Sequence, residues 1–309
     1  RFKLASTRST SFNMTRLLSL PTLLGTAAAA AATLVSSTRL SPERDHSSSN
    51  DHSHLYKRAA ISTDGRDFSG QTFDYVIAGG GLAGLVVADR LSEDADVTVA
   101  VIEAGSSGVG DDTLTTPAAN LYDSSVGTAK DWQYVTTAQQ GLGGRTTPWP
   151  RGKVLGGSSA INGLYMVRHS ASEQAAWAAL AAGNSSNATT VEEIWGWQNM
   201  LSNMKKSENF SPPAQGVQST LGDAIAWNVS SHGTDGPIHT SWPAVTFDSV
   251  AAFVQAAAQV GVPFNPDPDS GNTTGAFVAT SAINPGNWTR SFSRTGYLDP
   301  YIYRPNLVS

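Results

Sequence analysis

An α/β fold built on a Rossmann-like dinucleotide-binding unit is predicted for this 309-residue chain by three observations. Residues 73–78, FDYVIA, form a short apolar and aromatic run that suits a buried strand, and LAGLVVADRLSE follows with apolar residues at helical spacing. Between them lies GGGLAG, in which Gly79, Gly81 and Gly84 fit G-x-G-x-x-G. A second strand, VTVAVIE at 97–103, then ends on Glu103, nineteen residues after Gly84.

Each part has a physical task. Gly79 permits the tight turn off the strand, Gly81 lets backbone approach a pyrophosphate, and Gly84 lets the helix pack on the sheet. Leu82, Leu85, Val86 and Leu91 give that helix one buried face. Its first turn offers unpaired N–H groups and a partial positive charge to a diphosphate. Glu103, at the end of the second strand, can accept hydrogen bonds from a ribose diol. The pattern predicts a bound dinucleotide and does not separate FAD from NAD, which share the adenosine diphosphate half.

Composition excludes other chemistries. With 20 Lys+Arg against 25 Asp+Glu the net charge is −5, and the basic runs that track nucleic-acid phosphates are missing, so no nucleic-acid partner is expected. The chain has no cysteine, which excludes disulfides, thiolate nucleophiles and Cys-ligated metal sites. Its length allows one large or two ordinary domains.

The first 40 residues read as a leader and signal peptide: LLSLPTLLGTAAAAAATLV follows Arg16, no charge occurs from Leu17 to Thr38, and a small, polar segment comes next. Pro21, Gly25 and the alanines make it a poor bilayer span, so no stable membrane anchor is expected. Met14 opens the segment, and the residues before it are read as upstream leader. Residues 41–71 are a polar linker or propeptide with a candidate processing site at Lys57-Arg58. His46, His52 and His54 within it are read as solvated imidazoles, and no metal is assigned. N-x-S/T sequons at Asn184, Asn187, Asn209, Asn228, Asn272 and Asn287 agree with a secreted, extracellular glycoprotein, although Pro212 follows the Asn209 sequon.

A second glycine turn, RGKVLGGSSAING at 151–163, follows a long irregular region, 105–150, that is expected to act as a lid or binding loop. It carries neither the G-K-[ST] ending of a P-loop nor the G-x-S-x-G spacing of a hydrolase elbow. Gly156 and Gly157 are left to bring backbone close to a flat or phosphorylated ligand. Downstream, 172–182 and 194–206 read as helices, with Trp177, Trp195 and Trp197 taken up in packing. HGTDGPIHTSW at 232–242 reads as a turn into a strand, with structural or surface roles for His232 and His239. Residues 246–260 read as a helix with Val250, Phe253, Val254 and Ala257 on one face and Gly261 at its end.

Through FDYVIAGGGLAG, VIEAG, RGKVLGGSSAING, GVPFNPDPDSGNTTGAF and RTGYLDPYIYRPNL, the chain resembles the glucose-methanol-choline (GMC) family of FAD-dependent oxidoreductases over about residues 72–309. The resemblance implies that both glycine turns hold one FAD, the first at the adenine and pyrophosphate end, the second beside the isoalloxazine ring. Position by position it places Leu82 and Ala83 at the pyrophosphate, Glu103 at the adenosine ribose, and Ser158, Asn162, Gly163 and Tyr165 on the flavin side. The signature's usual aromatic falls at Met166, one place after Tyr165. No histidine stands where some members attach FAD covalently, so FAD is expected to be noncovalent.

The resemblance also implies discontinuous domains: an FAD-binding domain over 72–235, a first piece of an α+β substrate domain over 236–260, and a return to the FAD-binding domain over 261–309. Most of the substrate domain and the family's catalytic base have no counterpart here. No catalytic residue is therefore assigned, the base is expected beyond Ser309, and the chain reads as an N-terminal half of the family's pattern. The implied reaction is oxidation of a primary alcohol or sugar hydroxyl by hydride transfer to flavin, with oxygen or another electron acceptor as partner. The alternatives are an FAD-containing hydroxynitrile lyase of the same fold, an inactive flavin-binding fragment, and an NAD-dependent dehydrogenase, in which the second turn would have no role.

Overall fold

The computed structural model describes residues 2–3, 61–117, 124–183 and 188–309. Apart from Phe2–Lys3, the expected leader and signal peptide lie outside the described residues, as do the linker histidines, Lys57-Arg58 and the sequons at Asn184 and Asn187.

The expected strand, glycine turn, helix and strand are present as β1 (Tyr75–Ala78), α1 (Leu82–Ser92) and β2 (Val99–Ile102). The two strands run parallel, with Tyr75 opposite Val99 and Ala78 opposite Ile102. Burial of β2 follows from its Val-Ala-Val-Ile run, which suits a strand covered on both faces. Leu85, Ala88, Val99, Val101, Leu155, Tyr297, Leu298 and Leu307 form one core, and each fully buried leucine there is worth about 1.5–3 kcal/mol. Leu82, expected on the buried face of α1, is instead 56% exposed at the first position of the helix, directly after the Gly81 turn.

The long 105–150 region is not wholly irregular. Asp112–Thr115 is a helical turn that buries Leu114 completely. Two short strands, β3 (Tyr134–Val135) and β4 (Pro148–Trp149), form a hairpin with Tyr134 opposite Trp149. The Trp132 and Tyr134 rings stack at 5.8 Å, the Lys153 ammonium lies 4.8 Å from the Trp132 ring, and the Arg151 guanidinium lies 4.9 Å from that of Trp149.

The second glycine turn leads into a short helix, α2 (Ser158–Ile161). Helix α3 (Ala171–Ala182) begins with a capping box between Ser170 and Glu173. The expected helix at 194–206 is two helices, α4 (Ala188–Trp195) and α5 (Trp197–Ser207), broken at Gly196. A Cβ at Gly196 would lie 2.3 Å from the Glu192 carbonyl oxygen, so the chain can turn that tightly only through glycine. Trp177, expected in packing, is 72% exposed.

Helix α6 (Asp248–Gln259) ends in a Schellman motif: the Gly261 N–H donates to Ala258 O and the Val262 N–H to Ala257 O, with Gly261 at φ +88°. Of its expected apolar face, Val254 is buried and Val250 packs beside Phe210, Val217, Leu221, Ile225 and Trp242, whereas Phe253 is 72% exposed. The last strand, β5 (Leu307–Val308), joins the parallel sheet on the far side of β2, giving the order β5-β2-β1. No helix among the described residues is long and apolar enough to cross a membrane.

Candidate functional site

Parallel pairing brings the ends of β1 and β2 side by side, so Gly79 and Glu103 meet at the carboxyl edge of the sheet, where such sheets bind ligands. The Gly79 N–H donates to Ile102 O at 2.8 Å. Glu103 Oε2 accepts from the Gly80 N–H at 2.8 Å, and Oε1 accepts from the Gly105 N–H at 2.9 Å. The carboxylate thus braces the turn, yet each oxygen keeps a lone pair for a ligand hydroxyl. Helix α1 starts at Gly81 with no side-chain cap and no acid in its first turn. Its first N–H groups have no intrahelical partner, and Leu82 and Ala83 are exposed beside them. A Cβ on Gly84 would lie 2.1 Å from Gly79 O, so glycine is what lets the helix start press onto the strand end.

The second glycine turn is built directly onto the first. The Gly156 N–H donates to Gly80 O at 2.8 Å, and the Leu155 N–H donates to Ser106 O at 3.0 Å. Gly157 stands so close to Gly81 that a Cβ on it would lie 2.7 Å from the Gly81 Cα. Its φ of +53° also falls in the region that side chains avoid. Leu155 belongs to the core of β1, β2 and α1, whereas Val154 belongs to a second core with Leu114, Ala160, Ile161 and Phe292. Two adjacent side chains therefore pin the turn between two cores. Ser158, half-buried, accepts the Gly152 N–H on its hydroxyl at 3.2 Å. Gly79, Gly81, Gly84, Glu103, Gly156, Gly157 and Ser158 thereby lie in one patch, drawn from segments about 70 residues apart.

The remaining expected residues are strung along the chain that leaves α2. Asn162 caps that helix and is exposed, Gly163 is half-buried, and Tyr165 is 73% exposed in a two-residue strand opposite Ser281. The geometry does not bring the Tyr165 side chain into the glycine patch by any hydrogen bond among the described residues.

Three groups of supporting residues were missing from the sequence reading. Ser159 Oγ donates to Gly156 O at 2.6 Å, and Ser293 Oγ, 3.1 Å from it, reaches the same carbonyl at 3.2 Å. Arg290, 2% exposed, donates through Nε to Leu114 O at 2.9 Å and through Nη1 to Ser159 O at 3.1 Å and Asn162 Oδ1 at 2.8 Å. Its signal was available: it is the one charge in an otherwise uncharged run, 278–293, where a cation is either buried and paired or out of place.

The third group is a buried ion cluster. Glu208 accepts from Arg168 Nη2 at 2.7 Å, Thr240 Oγ1 at 2.8 Å and the Gly233 N–H at 3.0 Å, and pairs with His232 Nδ1 at 3.0 Å. Asp269 closes it, 3.7 Å from His232 Nε2 and 3.9 Å from Arg168 Nε. Burial is the largest influence on Glu208 and raises its pKa, but the bonds and charges of His232 and Arg168 and the Gly233 N–H outweigh it and hold the carboxyl below the usual range. For Asp269 burial prevails and pushes the carboxyl up. His232, expected in a structural or surface role, is buried within this cluster, and its partner Glu208 lies 24 residues away in the chain.

A family model described as GMC oxidoreductase matches residues 73–308. A GMC oxidoreductase family protein of Malassezia sympodialis is 49% identical over 82% of this chain and 39% of its own length. A glucose oxidase-like protein of Humicola fuscoatra is 36% identical over 81% of this chain and 41% of its own length. Among solved structures, an FAD-dependent oxidoreductase from Chaetomium thermophilum superposes with a TM-score of 0.66 at 35% identity, covering 77% of this chain and 38% of that one. A fungal aryl-alcohol oxidase gives 0.64 at 26% identity, covering 76% and 38%. The chain spans about two fifths of the length of the curated relatives it matches.

Proposed function

Since the chain belongs to the GMC oxidoreductase family, we propose that it supplies the FAD-binding half of a secreted oxidoreductase that oxidises a primary alcohol or sugar hydroxyl. The observation that carries this reading is the contact of the two glycine turns, Gly80 with Gly156 and Gly81 with Gly157, which makes one cradle rather than two sites. The residues present fit FAD: a helix start free of caps and acids for the pyrophosphate, Glu103 with spare lone pairs for the ribose, and a second turn where added side chains would collide. An NAD site would leave that second turn without a task.

Gly79 to Gly84 would hold the pyrophosphate and Glu103 the adenosine ribose, while Gly156 to Ser158, Asn162, Gly163 and Tyr165 would lie towards the flavin. FAD supplies, when bound, a two-electron acceptor for the hydride of a carbinol carbon. This chain's own work is binding, orientation and exclusion of water from that edge of the cofactor. None of the described histidines is assigned the proton transfer: His169 pairs with Gln174 at 2.6 Å, His232 belongs to the ion cluster, and His239 lies in a strand paired with Asn209. The base is proposed to lie outside this sequence, as are the residues that choose the substrate and the electron acceptor.

Anaerobic addition of primary alcohols and sugars to the flavin-loaded full-length enzyme, in which this chain is the FAD-binding half, tests the reading. Loss of the oxidised flavin's visible absorption is the expected result, and a flavin that stays oxidised while cyanohydrins are cleaved would favour the lyase. FAD is proposed to be noncovalent because Asn162 and its neighbours offer no histidine for attachment; acid precipitation should then release all flavin into the supernatant.

Secretion adds a separate expectation. Asn228, Asn272 and Asn287 are exposed, and each folds its side-chain oxygen onto the N–H two residues on, at 3.1 Å. Asn209 instead lies in a paired strand. In protein recovered from a eukaryotic secretion medium, glycopeptide mass spectrometry should find glycan at those three asparagines and none at Asn209. Unmodified peptides at all three would contradict the extracellular reading.

A further inference from the structure

The carboxamide of Asn162 has its polarity fixed by its neighbours. Oδ1 accepts the Leu164 N–H at 3.0 Å and Arg290 Nη1 at 2.8 Å. A backbone N–H and a guanidinium can only donate, so the atom they share must be the carbonyl oxygen. Arg290 is held in place, because it is buried and also donates to the backbone oxygens of Leu114 and Ser159. The Asn162 amide nitrogen is therefore turned away from Arg290. It belongs to an exposed residue and makes no hydrogen bond to protein among the described residues.

We propose that Arg290 is a positioning residue that locks the Asn162 carboxamide with its NH2 group outward, so that the second glycine turn presents a hydrogen-bond donor and selects an acceptor atom on the flavin edge. This rests on the reading of the site as an FAD cradle. It assigns a role to an arginine about 130 residues downstream that touches no expected ligand itself. The directional consequence is specific: an isosteric group that keeps the oxygen but loses the donor leaves the protein intact and spoils the ligand contact.

Asn162→Asp is that change. It keeps an oxygen for Leu164 and Arg290, so the melting temperature of the cofactor-free protein should not fall by more than about 2 °C. Its second oxygen faces the acceptor in place of a donor, and FAD affinity by fluorescence titration should fall roughly 10- to 100-fold, the scale of a buried polar group left unpaired. The visible absorption of bound oxidised flavin should shift as well. Arg290→Lys should weaken FAD binding in the native background and add nothing in an Asn162→Ala background, since its effect passes through that carboxamide. If Arg290→Lys does not fold, Asn162→Asp carries the test alone. Unchanged FAD affinity and spectrum in Asn162→Asp, or equal Arg290→Lys effects in both backgrounds, overturns the proposal while the cradle stands. A native protein that takes up no FAD overturns both.

Discussion

Gly157→Ala is expected to lower FAD affinity roughly 100-fold. The added methyl would stand 2.7 Å from the Gly81 Cα, and neither partner can move freely. Gly81 opens α1, while Gly157 follows Leu155, which is locked in the main core, and Gly156, whose N–H is bonded to Gly80 O. Overpacking of a close contact costs about 1–3 kcal/mol. A side chain at φ +53° adds about 1–2 kcal/mol. Together these come to about 2–5 kcal/mol, a range that spans the roughly 2.7 kcal/mol that a 100-fold change represents. Gly65→Ala is the control, because a Cβ there meets nothing within 4 Å and its φ is not positive. Fluorescence titration and a melt of each variant should show the loss at Gly157 only. Native affinity in Gly157→Ala would mean that the turns do not share a ligand.

The second large effect concerns stability rather than binding. Glu208→Gln keeps the shape of the side chain and removes the carboxylate 2.7 Å from Arg168, leaving the guanidinium with the more distant Asp269 carboxylate at 3.9 Å. Breaking a buried pair from one side costs about 3–5 kcal/mol. At about 2–4 °C per kcal/mol the melting temperature should fall by roughly 10 °C. The pH dependence carries the sign. Native Glu208 holds its proton less tightly than in the unfolded chain, so its contribution is present above the unfolded carboxylate range, about pH 4.3, and is lost as pH falls towards its lower native value. Asp269, whose carboxyl is raised, acts oppositely and costs stability as pH rises through its native value. Urea midpoints at pH 7 and pH 4 should therefore converge between native protein and Glu208→Gln at the lower pH. A gap that widens on acidification would refute this role for the cluster.

The two predictions also mark what the sequence could reveal. The first strand, helix and second strand were legible because FDYVIA, the spacing of Leu85, Val86 and Leu91, and VTVAVIE are local periodic patterns, and Gly79, Gly81 and Gly84 fall between them. The second turn was legible as a close backbone approach, but its partner was not, since nothing local says that Gly157 meets Gly81. The helix break at Gly196 escaped notice because one glycine is tolerated within a helical pattern. Phe253 and Trp177 were misplaced for a related reason: periodicity tells which residues share a face, not how much of that face a neighbour covers. The partners of His232 were out of reach, because Arg168, Glu208 and Asp269 converge only after the chain has folded. Arg290 was the missed opportunity, a solitary cation in an uncharged run whose burial could have been argued from composition alone.

The central claim is that both glycine turns hold a single dinucleotide. Its most direct test is calorimetric titration of the flavin-free protein with FAD, repeated in the presence of ADP. One FAD per chain, with ADP competing through the shared adenosine diphosphate half and NAD binding far more weakly, is the predicted result. Two independent sites, binding of NAD in preference to FAD, or FAD binding that ADP does not displace would contradict it.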